Sequence, residues 1–180
     1  MLAPRKTLWT TPNEAIQVAF DRFPLSDDDE VVDVGCGEGN VLLKWAELYC
    51  STDNSAGSPK FIGIDIDADR IRAAEQRWNH AVAEKRIRAN IPYQFHCANA
   101  LQRPELFRAA TVLFLYLIPR GLREIRSLLL SRRRLRIVSF MNPLHDAPLL
   151  FRERIHIPHQ PDAAYPLHFY ELDPPQHALI

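Results

Sequence analysis

Cysteine is scarce in this sequence, neither sign of charge is in excess, and long hydrophobic runs are missing. The three cysteines, Cys36, Cys50 and Cys97, lack CxxC spacing, which argues against a disulfide framework and a zinc cluster, so no metal is expected. The 22 basic and 22 acidic side chains cancel. Because no global field results, the composition does not favour binding to nucleic acid or to an anionic membrane.

The lack of a long apolar run bears on where the protein resides. The longest run, near TVLFLYLIP, reaches about half of the ~20 residues that span a bilayer, and the N-terminus lacks the apolar region of a signal peptide. We therefore expect a soluble protein of a reducing interior, cytoplasmic in location. The MLAPRK start carries two basic residues and leaves a mitochondrial address open.

Chain length and apolar content predict one domain. With 180 residues, of which 47% are hydrophobic, the chain can bury one substantial core. Within a single domain spanning 1–180 we expect an N-terminal helical segment at 1–28, a core at 29–142 and C-terminal strands at 143–180.

Short apolar runs alternate with amphipathic stretches along the chain. Five runs are typical of strands, namely EVVDVG, KFIGID, YQFHCANA, ATVLFLYLIP and RLRIVSFM. Helical periodicity is present in GNVLLKWAELYC, DADRIRAAEQRWNHAVAEKRIRA and RGLREIRSLLLSR, and strand-like pieces recur at RERIHI and PLHFYEL. This alternation predicts an α/β fold, a doubly wound, mostly parallel seven-stranded sheet with helices on both faces and a closing antiparallel strand or hairpin.

A glycine-rich bend follows the first strand in VVDVGCGEGN, residues 31–40. Ligands of such sheets bind beyond the carboxyl ends of the strands, where the strand order reverses. Gly35, Gly37 and Gly39 permit unusual φ values and let the main chain approach a ligand. An ordinary strand-to-helix turn would need fewer glycines, so the bend predicts a binding site.

A carboxylate at the end of the second strand, Asp65 in KFIGID, is a second and independent signal. It is placed to accept two hydrogen bonds from the cis-diol of a ribose. The alternative role, capping the next helix, suits Asp67 or Asp69 better. The bend and this acid together predict a nucleoside ligand.

Both NAD and S-adenosylmethionine contain such a ribose, and the bend discriminates between them. Dinucleotide sites favour GxGxxG, whereas Asn40 stands where the last glycine would be, and Glu38 would repel a pyrophosphate. Adenosylmethionine carries a sulfonium and an ammonium, which suit the acids Asp33 and Glu38. The sequence therefore favours S-adenosylmethionine as the cofactor, with an NAD-dependent oxidoreductase as the weaker alternative.

With these residues in place, the chain resembles the class I, Rossmann-like S-adenosylmethionine-dependent methyltransferases over about residues 9–172. VVDVGCGEGN is similar to their first motif and FIGIDIDADRI to their second, while YQFHCANAL is similar to their third, in which the position of Asn99 contacts the adenine. The resemblance implies the class I methyltransferase fold. It also implies cofactor contacts at Thr11, Asp33, Gly35, Cys36, Gly37, Gly39, Asp65, Ile66, Asn99 and Ala100.

A narrower resemblance connects LWTTPNEAIQVAF, ATVLFLYLIPRGLREIRSLL, RIVSF and LHFYEL with small methyltransferases related to the mitochondrial protein-lysine methyltransferases. It implies N-methylation of a protein lysine, with Thr11 near the methionine end of the cofactor and Tyr116 positioning the acceptor. Trp9 replaces the more usual tyrosine and Asn99 the more usual aspartate. A small-molecule methyltransferase and a cofactor-binding, non-catalytic partner subunit remain the alternatives.

The only dense basic segment, RSLLLSRRRLR, could hold RNA or an acidic protein. An arginine-rich helix end is more often solvated and suits the helix dipole. No RNP-like aromatic pattern accompanies it. We therefore expect a methyl-acceptor partner, such as a protein, rather than nucleic acid.

Overall fold

The computed structural model describes residues 10–52, 57–129, 134–158 and 160–173. For residues 160–162 it describes the backbone only. Trp9 and the arginines at 132 and 133 of the basic segment lie outside these ranges. The helices are α1 (Asn13–Arg22), α2 (Asn40–Thr52), α3 (Ala68–Ala83) and α4 (Pro119–Arg126), with short 3-10 turns at Ala100–Gln102 and Pro104–Phe107. The strands are β1 (Glu30–Val34), β2 (Lys60–Asp65), β3 (Tyr93–Cys97), β4 (Val112–Leu115), β5 (Leu135–Phe140), β6 (Leu149–Ile157) and β7 (Gln160–Leu172).

The strands form one seven-stranded sheet in the order β3-β2-β1-β4-β5-β7-β6. Strands β1 to β5 pair in parallel, and β7 is antiparallel to both β5 and β6. The order reverses between β1 and β4, which places the loops that follow these two strands at the switch point. The predicted doubly wound, mostly parallel sheet is confirmed.

Both faces of the sheet are covered because its central strands are apolar on both sides. On one face, Trp45 of α2 packs edge-on against Phe114 of β4, with ring centroids 5.9 Å apart. On the other face, Leu122 and Ile125 of α4 are buried with Leu113 of β4. A strand such as β4, VLFL, therefore lacks the polar alternation of a half-exposed strand.

Helix α3 is shorter than its periodicity predicts, ending at Ala83 rather than near residue 89. Lys85 adopts a left-handed φ of 61°, and the Arg86 N–H donates to the Ala81 carbonyl at 2.9 Å. These features are typical of a Schellman-type helix end, here made with lysine instead of glycine. The turn allows Ile87 to fold back into the core, where it is buried.

Helix α2 buries most of the face that its sequence predicts. Val41, Leu42, Trp45 and Ala46 are buried, but Leu48 lies only partly within the core and Tyr49 is buried instead. At 100° per residue, Tyr49 falls at the centre of this face and Leu48 at its margin.

Among the described residues no helix is both long and apolar enough to cross a membrane.

Candidate functional site

The bend between β1 and α2 has the left-handed backbone that its glycines permit. Gly35, Gly37 and Gly39 have φ values of 81°, 53° and 77°. The bend is anchored to the neighbouring strand, because the N–H groups of Gly35 and Cys36 donate to the Ile64 carbonyl at 2.8 and 3.1 Å. A side chain at these φ values would be strained, which explains why the loop is glycine-rich.

The glycine at position 39 has a packing role as well. A Cβ atom there would lie 3.2 Å from the Ala74 Cβ of α3 and 3.3 Å from the Phe95 ring of β3. Protein atoms rather than open space therefore face Gly39. Close packing of α2 against its neighbours is therefore one reason for a glycine here, and the ligand approach expected of all three glycines stays a prediction.

Asp65 connects the end of β2 to the bend. One carboxylate oxygen accepts a hydrogen bond from the Gly37 N–H at 2.8 Å, and the other accepts from the Asp67 N–H at 2.9 Å. The side chain is 7% exposed. Helix α3 is capped by Asp67, which accepts from the Asp69 and Arg70 N–H groups. Asp65 is therefore not the helix cap, and each of its oxygens retains a lone pair for a further donor.

Asp33, in β1, is a buried acid with no basic partner among the residues that the structure describes. It is 3% exposed, and in register it lies between Gly63 of β2 and Phe114 of β4. Burial, reinforced by the negative charge of Asp65, raises the pKa of Asp33 to about 8. No donor in the described part of the chain bonds its carboxyl group. Such a group favours the arrival of a cation.

A cavity opens between the bend and the N-terminal segment. The cavity is partly open and its volume is about 30 Å³, enough for about two water molecules, so a nucleoside would lie mostly along its open side. Thr11 and Tyr116, which the sequence placed near the methionine end and near the acceptor, both line this cavity. The full lining comprises Thr10, Thr11, Asp33, Gly35, Cys36, Gly37, Glu38, Asn40, Val41, Phe114 and Tyr116.

Four further predicted residues lie outside the cavity lining, at the ends of β2 and β3. Asp65 and Ile66 follow β2, and the Ala98 N–H donates to the Asp65 carbonyl at 2.8 Å. Ile66 is 44% exposed and Ala100 is buried. Asn99 is half-buried, and its Oδ1 accepts from the Leu101 N–H at 3.1 Å. If these residues belong to the site, they would form a second arm of it, across the bend from Tyr116 in the strand order.

Cys36 occupies the middle of the bend as a buried thiol. Burial raises the pKa of Cys36, and the charges of Asp33 and Asp65 raise it further, so the thiol stays protonated and unreactive. Its Sγ lies 2.9 Å from where a Cβ at Gly63 would be, and the Phe95 ring lies 2.4 Å from the same point. Gly63 therefore makes room for the bend, a role that sequence reasoning missed although KFIGID places a glycine inside a strand.

Arg77 of α3 is a second residue that sequence reasoning missed. Its Nη1 donates to the Glu38 carbonyl oxygen at 3.0 Å and also to Asn40 Oδ1. The Glu38 carboxylate lies 3.7 Å from the same nitrogen. Arg77 therefore holds the outer half of the bend. Long-range contacts of this kind leave no local pattern in the sequence.

Aromatic side chains lie on the acceptor side of the cavity. Tyr116, just after β4, packs edge-on against Phe140, with ring centroids 4.9 Å apart, and Tyr165 of β7 lies 6.4 Å beyond Phe140. Asn142 Nδ2 donates to the Leu117 carbonyl at 3.0 Å, which joins the loops after β4 and β5. A row of aromatic rings thus leads from the cavity towards the β6–β7 hairpin.

Comparisons with known proteins agree with this geometry. Residues 25–111 match the family model described as a methyltransferase domain. A search of curated proteins finds no match.

Solved structures with the same fold include an RNA methyltransferase from Salinibacter ruber in complex with S-adenosyl-L-homocysteine, with a TM-score of 0.71, 16% identity, and 96% of this chain and 98% of that chain covered. A precorrin-6y C5,15-methyltransferase from Geobacter metallireducens has a TM-score of 0.63 and 14% identity, with 93% of each chain covered. A putative O-methyltransferase from Klebsiella pneumoniae has a TM-score of 0.65 and 12% identity, with 92% and 82% covered. At these identities the likeness establishes the fold. Residues 25–111, which span β1 to β3, thus match a methyltransferase domain, and the fold of the chain is that of the class I methyltransferases.

Proposed function

We propose that the protein transfers a methyl group from S-adenosylmethionine to the side-chain amine of a lysine in a protein. The partly exposed rings of Tyr116 and Tyr165, which pack on the buried Phe140, carry this proposal. Aromatic faces attract an ammonium or methylammonium group and pack well against an aliphatic stem. The resemblance to small methyltransferases related to the mitochondrial protein-lysine enzymes supports the same acceptor.

The residues of the bend suit the cofactor chemically. Asp33, buried and without a basic partner, would hold the ammonium of the methionine part, with Thr11 beside it in the cavity. Gly35, Cys36, Gly37 and Gly39 present main chain rather than long side chains. When bound, the cofactor supplies a methyl group that its sulfonium makes electrophilic.

The second arm of the site suits the adenosine part. Asp65 keeps lone pairs for the ribose hydroxyls while it holds the Gly37 N–H. The half-exposed Ile66 would offer an apolar surface for the adenine, and the buried Ala100 would contribute at the end of β3. Asn99 uses its oxygen as a cap and leaves its amide N–H groups to bond to the base.

Positioning is the main task left to the protein, because the cofactor brings the electrophile. Tyr116 lines the cavity at the end that faces the aromatic row. Its hydroxyl oxygen would accept a hydrogen bond from the lysine amine and so orient the nitrogen lone pair towards the methyl carbon. The lysine ammonium must lose a proton before transfer, and exclusion of water from this side of the cavity would favour the neutral, nucleophilic amine.

Tritiated methyl transfer into a cell lysate tests the proposal. We expect label in protein, recovered as methyl-lysine after acid hydrolysis. The Tyr116→Phe variant should label roughly tenfold more slowly or worse, because one acceptor-orienting hydrogen bond is lost, while its affinity for adenosylhomocysteine stays unchanged. Tyr93→Phe is the matched control, since the Tyr93 hydroxyl bonds Asn79 on the surface.

The other outcomes of this assay each favour a different function. Label confined to small molecules would replace the lysine acceptor with a metabolite. Cofactor binding without label anywhere would favour a non-catalytic partner subunit. Equal rates for Tyr116→Phe and the unmodified protein would remove Tyr116 from the acceptor site.

A further inference from the structure

Strand β6 lies at the edge of the sheet, since the strand order ends β5-β7-β6. One side of β6 pairs with β7. The backbone groups on its other side face no strand within the described part of the chain, and an open edge of this kind is a template for a further strand.

Three basic side chains lie at alternate positions in the second half of β6. Arg152, Arg154 and His156 alternate along the strand and are exposed. Neither arginine forms an ion pair with any carboxylate of the described residues. On the opposite face Glu153 is already paired with Arg22 of α1. The strand therefore presents the positive charges of two arginines at alternate positions, with no carboxylate of the described residues paired to either.

Apolar surface adjoins this charge at the start of the same strand. Leu149 and Leu150 are 51% and 52% exposed, and among the described residues the only other large apolar side chain so exposed is Ile66. Two adjacent exposed leucines on a strand edge are costly to leave in water. They extend the same edge as the arginines, so one partner can cover both.

A second copy of this chain does not suit the edge. Pairing β6 with another β6 would bring basic side chains face to face, and like charges directly opposite are destabilising. The phosphates of RNA would match the arginines, but they supply neither backbone groups for the open edge nor apolar groups for the leucines. An extended polypeptide with acidic residues at alternate positions satisfies all three features.

We infer that an acidic, extended segment of the protein substrate docks along β6 as an eighth strand, with its acids opposite Arg152 and Arg154. This inference rests on the proposed protein acceptor. Strand β6 runs in the same direction as β5 and β4, because both β6 and β5 are antiparallel to β7. Its carboxyl end therefore lies at the edge of the sheet that holds the cofactor bend.

Sheet geometry sets how far the acceptor lysine lies from the docked segment. A strand docked outside β6 is four strand spacings of about 4.8 Å from β4, roughly 19 Å in total. An extended chain covers about 3.3 Å a residue, so roughly six residues connect the docked segment to the lysine. These linking residues would pass over the row of Tyr165, Phe140 and Tyr116.

Docking on β6 can be measured without methyl transfer, so the result tests this inference separately from the proposed lysine methylation. The probe is a fluorescein-labelled peptide with two leucines, acids at three alternate positions, and a lysine beyond them. Fluorescence anisotropy measures its affinity, and hydrogen exchange measures protection of the β6 amides. We expect protection at 150–157 and an affinity that falls as salt is added.

Charge reversal identifies the contacting residues. Arg152→Glu with Arg154→Glu should weaken peptide binding by about tenfold or more, because attractive cross-strand pairs become repulsive. Arg108→Glu is the control, an exposed arginine in the loop before β4. Both variants should keep the melting temperature of the unmodified protein.

Three results would overturn the inference. The first is no binding of the acidic peptide, or equal binding of a peptide with lysines in place of its acids. The second is binding that leaves the β6 amides unprotected. The third is single-stranded RNA that binds the same edge and displaces the peptide, which would make the surface a nucleic-acid site. Each result leaves the lysate assay free to succeed or fail.

Discussion

Replacing Asp33 with asparagine should stabilise the free protein while weakening cofactor binding. In the folded chain Asp33 is buried beside Asp65, and burial first, then the charge of Asp65, raise its pKa from 3.8 to about 8. The carboxyl group is therefore mostly protonated at pH 7 when the chain is folded. In the unfolded chain the same group is ionised.

The sign of the effect on stability follows from the protons bound in each state. Between pH 4 and pH 8 the folded state binds more protons at Asp33 than the unfolded state does, so this group makes the free energy of unfolding fall as pH rises. A tenfold change in an equilibrium constant is about 1.4 kcal/mol, so the raised pKa lowers the free energy of unfolding by about 4 kcal/mol at pH 7. Below pH 4 Asp33 is protonated in both states, so this loss of stability disappears.

Asparagine has nearly the same shape and no charge. The Asp33→Asn variant should gain about 2 kcal/mol or more in free energy of unfolding at pH 8, since an imperfectly bonded amide offsets part of the gain. At pH 4 the two proteins should differ little. Urea unfolding at both pH values measures the difference.

Cofactor binding should change in the opposite direction. An ammonium beside Asp33 favours the ionised carboxylate, so affinity for adenosylmethionine should rise with pH up to about 8. Asp33→Asn should bind it roughly tenfold more weakly or worse, and without this pH dependence. Calorimetry across this pH range measures both effects.

Asp65→Asn is the matched control for these measurements. The Asp65 carboxylate accepts hydrogen bonds from the Gly37 and Asp67 N–H groups, so its loss should destabilise the protein at neutral pH. If Asp33→Asn were no more stable than the unmodified protein at pH 8, the carboxyl group would not carry the burial cost, and the reasoning would be refuted.

Three further changes test the rest of the site. Asp65→Ala should abolish measurable adenosylmethionine binding, with a loss on the order of 2 to 3 kcal/mol for the ribose contact alone; unchanged affinity in calorimetry would exclude the ribose role. Gly63→Ala should lower the free energy of unfolding by about 1 to 3 kcal/mol, because the added methyl group overlaps Phe95 and Cys36. Gly121→Ala, whose methyl group would meet Leu117 at an ordinary 3.5 Å, is its control and should cause no loss of stability in urea unfolding, since alanine favours the helix over glycine. Arg77→Ala should weaken cofactor binding several-fold with less than about 1 kcal/mol of lost stability, since Arg77 is exposed and holds the bend; a large drop in melting temperature would instead mark it as a structural residue.

Local pattern carried much of the information about this fold. Apolar runs such as EVVDVG and VLFL predicted buried strands, because strands covered on both faces need no polar alternation. The alternation of strands and helices predicted the doubly wound sheet, and Asp67 was correctly preferred over Asp65 as the helix cap. The domain boundaries and the roles of the individual cofactor residues stay predictions.

Other features depended on which strands became neighbours. Asp33 and Asp65 are far apart in sequence, and only the parallel pairing of β1 with β2 brings their charges close enough to act on each other. The role of Gly63 likewise depends on Cys36 and Phe95, which pack against it in the folded chain and leave no room for a side chain. Sequence by itself determined the elements and the glycine-rich bend, because periodicity and backbone sterics are local. Tertiary structure alone decided the burial cost at Asp33, the support of the bend by Arg77 and the open basic edge of β6, because each depends on contacts between distant segments.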